Sequence, residues 1–199
     1  MNDYTELTKK LFDDIMQRLN RGLNSDLYYH CPEHTKYVFK AAVRIAKSEK
    51  LNEEDSFLLF AAVLLHDTGF LETYQNHEIK SCEYARAWLP AYHFKPEQIE
   101  RVCSIIEATR IPQKPNGDKL AEILCDADLD YLGTEDFYRI GNTLFKEYLE
   151  YGIVKDEKQW NRLQVSFLES HHYFTPSVSQ LRDPLKKQHL EELKRLTID

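Results

Sequence analysis

Residues 52–69 read NEEDSFLLFAAVLLHDTG, and this stretch decides the fold. Asn52 suits a helix N-cap, and Glu53, Glu54 and Asp55 put negative charge into a first turn whose backbone N–H groups are unpaired. Phe57 to Leu65 is then apolar without a break, which predicts a helix in the centre of the protein, and Gly69 offers the stop. At that stop the chain sets His66 and Asp67 side by side. An Asp at the end of a buried helix is costly to desolvate unless it is paired, hydrogen-bonded or bound to a metal.

Outward from this stretch the apolar spacing stays helical. Leu7, Leu11, Phe12, Ile15, Met16 and Leu19 predict a first helix from Tyr4 that ends in the breakers of Asn20 to Ser25. Pro32 can take the first turn of a second helix with Val38, Ala41, Ala42 and Ile45 on its inner face. Further helices fit residues 77–89, 96–108, 118–131, 135–151, 157–171 and 183–196, and the run from Ile111 to Lys119 reads as a loop. No segment alternates with period two long enough to argue for a sheet. The expectation is an all-α, single-domain helical bundle spanning residues 1–199.

Composition narrows the class. The chain has 199 residues, 42% hydrophobic and 12% aromatic, too apolar for a disordered protein and without the unbroken run that a membrane span needs. Its first residues carry Asp3 and Glu6 and no signal-like apolar run, so a cytoplasmic location is expected. Cys31, Cys82, Cys103 and Cys125 form no CxxC pair and suit buried thiols. A net charge of −7 argues against general nucleic-acid or anionic-membrane binding, so a phosphate-bearing ligand must be attracted locally.

The histidines and aspartates supply the chemistry. YYHCPEHTKYV places His30 and His34 four apart, and CDADLDY places Asp126, Asp128 and Asp130 at the end of another apolar run. Imidazole and carboxylate together suit a divalent metal such as Mn, Fe, Co, Ni or Zn. Taken alone, His66 and Asp67 read first as caps of a helix end and the following turn, and it is the other residues that point to a metal.

A His on one helix, an adjacent His-Asp at the end of another and a distal Asp is a pattern that resembles the HD superfamily of metal-dependent phosphohydrolases. The motifs run roughly from Leu27 to Tyr131, and HDTG after an apolar helix is the most diagnostic piece. The resemblance implies one divalent metal ion, Mg included among the candidates, held by His34, His66, Asp67 and Asp128. It favours Asp128 over Asp126, and Asp126 and Asp130 then read as solvated or capping carboxylates. The segment Tyr29 to His34 is similar to the YHxxxH motif of class I cyclic-nucleotide phosphodiesterases, which makes His30 a candidate general acid. A packing or surface role for His30 stays open.

The resemblance further implies that His77 serves a phosphate or supports the ligands. Ala108 and Thr109 stand where binuclear relatives have a histidine pair, which argues for a single metal. His171, in SHHYFTP, and Arg110 are the other candidates for substrate, whereas Lys114 and Arg182 read as solvated loop charges and His93 and His189 as structural. The implied activity is hydrolysis of a small phosphate ester, a nucleotide above all, with Asp67 orienting the attacking water. The alternative is a non-catalytic module that binds a nucleotide or metal and signals through helix packing. The sequence leaves the oligomeric state open.

Overall fold

The computed structural model describes residues 3–197. Among the described residues there are nine α-helices, three short 3-10 turns and no strand, so the protein is all-α. The helices are α1 (Asp3–Gly22), α2 (Pro32–Ser48), α3 (Glu53–Leu65), α4 (His77–Trp88), α5 (Pro96–Glu107), α6 (Lys119–Asp128), α7 (Phe137–Glu150), α8 (Glu157–Ser170) and α9 (Pro176–Leu196). They group into two compact units, one comprising the chain up to Asn24 with His30–Asp128, the other Ser25–Tyr29 with the chain from Leu129 onward. No helix among the described residues is long and apolar enough to cross a membrane.

In the first unit α3 is the core helix. Asn52 Oδ1 accepts from the Asp55 N–H at 2.8 Å, and every residue from Phe57 to Leu65 except Phe60 is buried. Helices α1, α2, α5 and α6 pack on α3, and α4 packs on α5 and on the 3-10 turn Thr68–Leu71. Pro32 takes the first turn of α2, and the inner face carries Val38, Ala41, Ala42 and Ile45. Asn20 does not break α1: its Nδ2 donates to the Met16 carbonyl at 2.7 Å, and the helix continues to Gly22.

In the second unit α8 packs on α9, and both α7 and α9 pack on the 3-10 turn Asp130–Gly133. The expected helix 118–131 is thus shorter, ending at Asp128 before that turn. The expected helix 183–196 begins seven residues earlier, with Pro176 in its first turn. Pro184 sits inside it, where the missing N–H forfeits one helical hydrogen bond without ending the helix. Arg182 therefore lies on α9 and not in a loop, and its guanidinium holds Asp130 through two bonds of 2.8 and 2.9 Å.

The four cysteines are free. His189 is structural as expected, buried with Nδ1 on the Leu132 carbonyl at 3.0 Å and its ring stacked on Phe137.

Candidate metal centre

The first unit brings four side chains together from three segments. His34 comes from the first turn of α2, His66 and Asp67 from the end of α3, and Asp128 from the last residue of α6. His34 Nε2 lies 3.1 Å from Asp128 Oδ1 and 3.3 Å from Asp67 Oδ2. His66 Nε2 lies 3.2 Å from Asp67 Oδ2 and 3.7 Å from Asp128 Oδ1. One donor atom each from His34, His66 and Asp128 falls within 4.8 Å of the others, a group that could hold a metal ion.

The surrounding bonds aim these atoms. His66 caps α3, and its Nδ1 meets the Val63 carbonyl at 2.8 Å. A carbonyl only accepts, so the proton sits on Nδ1 and Nε2 faces the carboxylates. Gln113 Nε2 donates to Asp128 Oδ2 at 3.2 Å, which leaves Oδ1 for the imidazoles. Behind the turn, the buried Ser81 of α4 donates through Oγ to the His66 carbonyl at 2.7 Å and accepts from the Gly69 N–H at 2.8 Å. Gly69 is required by the close approach of α4 here, because a Cβ there would run into the carbonyl of His77. Sequence reasoning missed both Ser81 and Gln113. Ser81 looked like an ordinary helical serine and Gln113 lies in the loop from Ile111 to Lys119, so neither carried a signal.

Electrostatics identify what the cluster wants. Burial pushes the His34 and His66 imidazoles down, but the Asp67 and Asp128 carboxylates outweigh it and leave His34 raised and His66 well raised. Burial likewise pushes Asp67 and Asp128 up, and the two imidazoles overcome it, holding both carboxyls well below the usual range. Two carboxylates facing two imidazole nitrogens in this arrangement call for positive charge between them. His66 Nε2 and Asp67 Oδ2 are moreover fully buried and, though 3.2 Å apart, make no aligned hydrogen bond to each other or to any other described residue. Buried polar atoms are rarely left so, and two of them aimed at one point, one nitrogen and one oxygen, fit a divalent cation of borderline hardness.

The remaining candidates divide between the units. His30, half-buried, stacks on Phe70 with ring centroids 4.1 Å apart and lies 6.0 Å, centroid to centroid, from His34. His77 stacks on Phe70 at 4.0 Å and puts Nε2 3.5 Å from Asp67 Oδ1. Burial lowers the His77 pKa more than Asp67 raises it. Arg110 is exposed, with Nε 3.7 Å from Oε2 of the buried Glu78, the acid beside His77.

His171 belongs to the second unit, where Lys186 Nζ lies 3.1 Å from its Nδ1 and donates to its carbonyl at 2.8 Å. Thr109 is structural, its hydroxyl donating to the Ile106 carbonyl. Asp126 and Asp130 correct the expectation of solvated or capping acids, since both are buried and Asp130 is held by Arg182.

Residues 33–130 match the model of the HD domain family. Among solved structures, the chain is similar to that of a predicted HD superfamily hydrolase from an uncultured Thermotogales bacterium. The TM-score is 0.63 over 98% of this chain and 97% of that one, at 24% sequence identity, a likeness of fold. No curated protein matches.

Proposed function

The chain contains an HD domain over residues 33–130, and from that premise we propose that it is a metal-dependent phosphohydrolase cleaving a phosphomonoester or phosphodiester of a nucleotide. The observation that carries the reading is the pair of buried atoms His66 Nε2 and Asp67 Oδ2, 3.2 Å apart and without an aligned hydrogen bond, beside His34 and Asp128. An interaction surface gains nothing from this arrangement, whereas a divalent ion would satisfy His34, His66 and Asp128, with Asp67 beside them. When bound, such an ion supplies Lewis acidity toward a phosphoryl oxygen and a source of hydroxide near neutral pH.

The chain's own residues do the rest. His66 keeps Nδ1–H on Val63, so that Nε2 stays available, and Gln113 holds Asp128 in one orientation. Asp67 offers a second oxygen, Oδ1, that can accept from the attacking water and orient it. His30 carries a ring proton for the departing oxygen, its plane fixed by Phe70. His77 and Arg110 stand beside Asp67 and Glu78 respectively, and Arg110 keeps further N–H donors for a phosphate.

The test is elemental analysis of metal-replete protein, followed by a phosphate-release screen across nucleoside monophosphates, nucleoside triphosphates and cyclic nucleotides. About one metal per chain and turnover of at least one ester, both lost in Asp67→Ala, are expected. Metal-replete protein that turns over no phosphate ester yet binds nucleotide would replace this reading with the non-catalytic module.

A further inference from the structure

A second site lies on α1, α2 and α3, on residues that the metal centre does not use, and it stands independently of the hydrolase reading. A cavity of about 660 Å³ opens there, within the range of small-molecule sites. Its walls are aromatic: Tyr4 and Phe12 from α1, Phe39 from α2, and Phe57 and Phe60 from α3. Tyr4, Phe12, Phe39 and Phe60 are only half-buried, so this apolar surface is open to solvent.

The rings touch one another at an angle. Tyr4 and Phe57 are 4.8 Å apart and tilted by 32°, Phe12 and Phe39 5.1 Å and 63°, and Phe39 and Phe60 5.2 Å and 50°. They form a curved wall and not a parallel slot, which suits a flexible aliphatic chain better than a flat ring.

The mouth is basic. Lys9 of α1 and Lys36 and Lys40 of α2, one turn apart, also line the cavity. Lys36 meets only the exposed Glu33, at 3.4 Å, and among the described residues Lys9 and Lys40 have no carboxylate partner. Glu53 lines the cavity too, but in the first turn of α3, where the helix N-terminus offsets its charge. Three lysines lining an aromatic-walled cavity, in a chain of net charge −7, are complementary to an anion with an apolar tail. His34 lies on the opposite side of α2 from Lys36, Phe39 and Lys40, since two, five and six residues turn a helix by about 200°, 140° and 240°.

We propose that this cavity binds a long-chain carboxylate, with the acyl chain against the aromatic wall and the carboxylate among Lys9, Lys36 and Lys40. The same chemistry could reach the protein as a free fatty acid or at an anionic lipid surface, and the experiment separates the two. Octanoate, decanoate, dodecanoate and 1-dodecanol are titrated calorimetrically into the full chain below their micellar concentrations. Vesicles of phosphatidylcholine with and without phosphatidylglycerol are tested by flotation.

Affinity should rise roughly fourfold per added methylene until the cavity is full. The K36Q/K40Q variant, altered only at solvent-reaching side chains, should weaken dodecanoate by roughly threefold to tenfold and leave 1-dodecanol unchanged. Its metal content and phosphate release should equal those of the wild type, which keeps this test separate from that of the metal centre. Absence of binding by all the acids overturns the proposal. So does dodecanol binding as tight as dodecanoate with no effect of K36Q/K40Q, or binding to anionic vesicles without binding to the soluble acids.

Discussion

Ser81→Ala tests whether the turn that carries Asp67 is held from behind. The Ser81 hydroxyl makes two buried bonds, to the His66 carbonyl and from the Gly69 N–H, so it clamps the residues on either side of Asp67 and Thr68. Alanine removes one oxygen and leaves a small void, so the cost is chiefly that of two buried backbone groups without partners. At about 1–3 kcal/mol for each such group, and with partial relaxation of the turn, the loss is about 2–4 kcal/mol. For a chain of this size that lowers Tm by roughly 4–16 °C. Chelator competition should show a metal affinity weaker by about 10–100-fold, the usual effect of removing a group that orients ligands. Urea melts at fixed chelator concentration give the stability without the contribution of bound metal. A loss below about 0.5 kcal/mol together with unchanged metal affinity would refute the argument that α4 sets the geometry of the His-Asp turn.

The other predictions concern the cluster itself. Asp67→Ala should abolish stoichiometric metal, read by elemental analysis, because it removes a charge as well as a donor. Asp126→Ala should leave metal content intact while lowering the unfolding midpoint, because Asp126 is buried; the reverse pattern would exchange the roles assigned to Asp126 and Asp128. His30→Ala should keep its metal and slow turnover of an alkyl phosphate ester by about 10²–10⁴, with a much smaller loss on a nitrophenyl ester, whose leaving group needs no proton; equal losses would reduce His30 to packing.

Metal-free protein should be most stable, as far as this cluster is concerned, between about pH 3.8 and 6.5. The raised imidazoles contribute stability that is lost as pH climbs past their folded values, and the lowered carboxylates contribute stability that is lost as pH falls toward theirs. Metal affinity should run the other way above about pH 6.5, rising as protons leave His34 and His66. A metal affinity flat from pH 6 to 8 would contradict this.

The fold was legible because its signals are local. An apolar run such as Phe57–Leu65, with a cap on one side and His-Asp-Thr-Gly on the other, admits little besides a buried helix that stops there. The clustering was legible for a related reason: His34, His66, Asp67 and Asp128 each border a helix end, where residues from different segments can come together. What stayed hidden depends on contacts between segments distant in sequence. Ser81 reaches back fifteen residues to His66, Gln113 reaches Asp128 from a loop, and Arg182 finds Asp130 across fifty-two residues. No periodicity marks such a residue, because its partner and not its neighbours determines its role.

The three aspartates of CDADLD show where spacing stops and topology takes over. Steps of two turn a helix by about 200°, so Asp126 and Asp128 must face different surroundings, and spacing alone makes each as good a ligand as the other. Asp128 is set apart because α6 ends on it, leaving its carboxylate next to His34 and His66, whereas Asp126 lies a half-turn back inside the helix and wholly buried. Asp130 falls beyond the helix end, in the first residue of the following 3-10 turn, where Arg182 holds both of its oxygens. Its charge is balanced there by the guanidinium rather than by the imidazoles. The same residue type at the same interval is therefore a buried helical acid, a ligand-facing acid or a structural ion pair according to where the helix terminates. Lengthening α6 by one residue would turn Asp128 by about 100° and dismantle the centre without changing any of its residues.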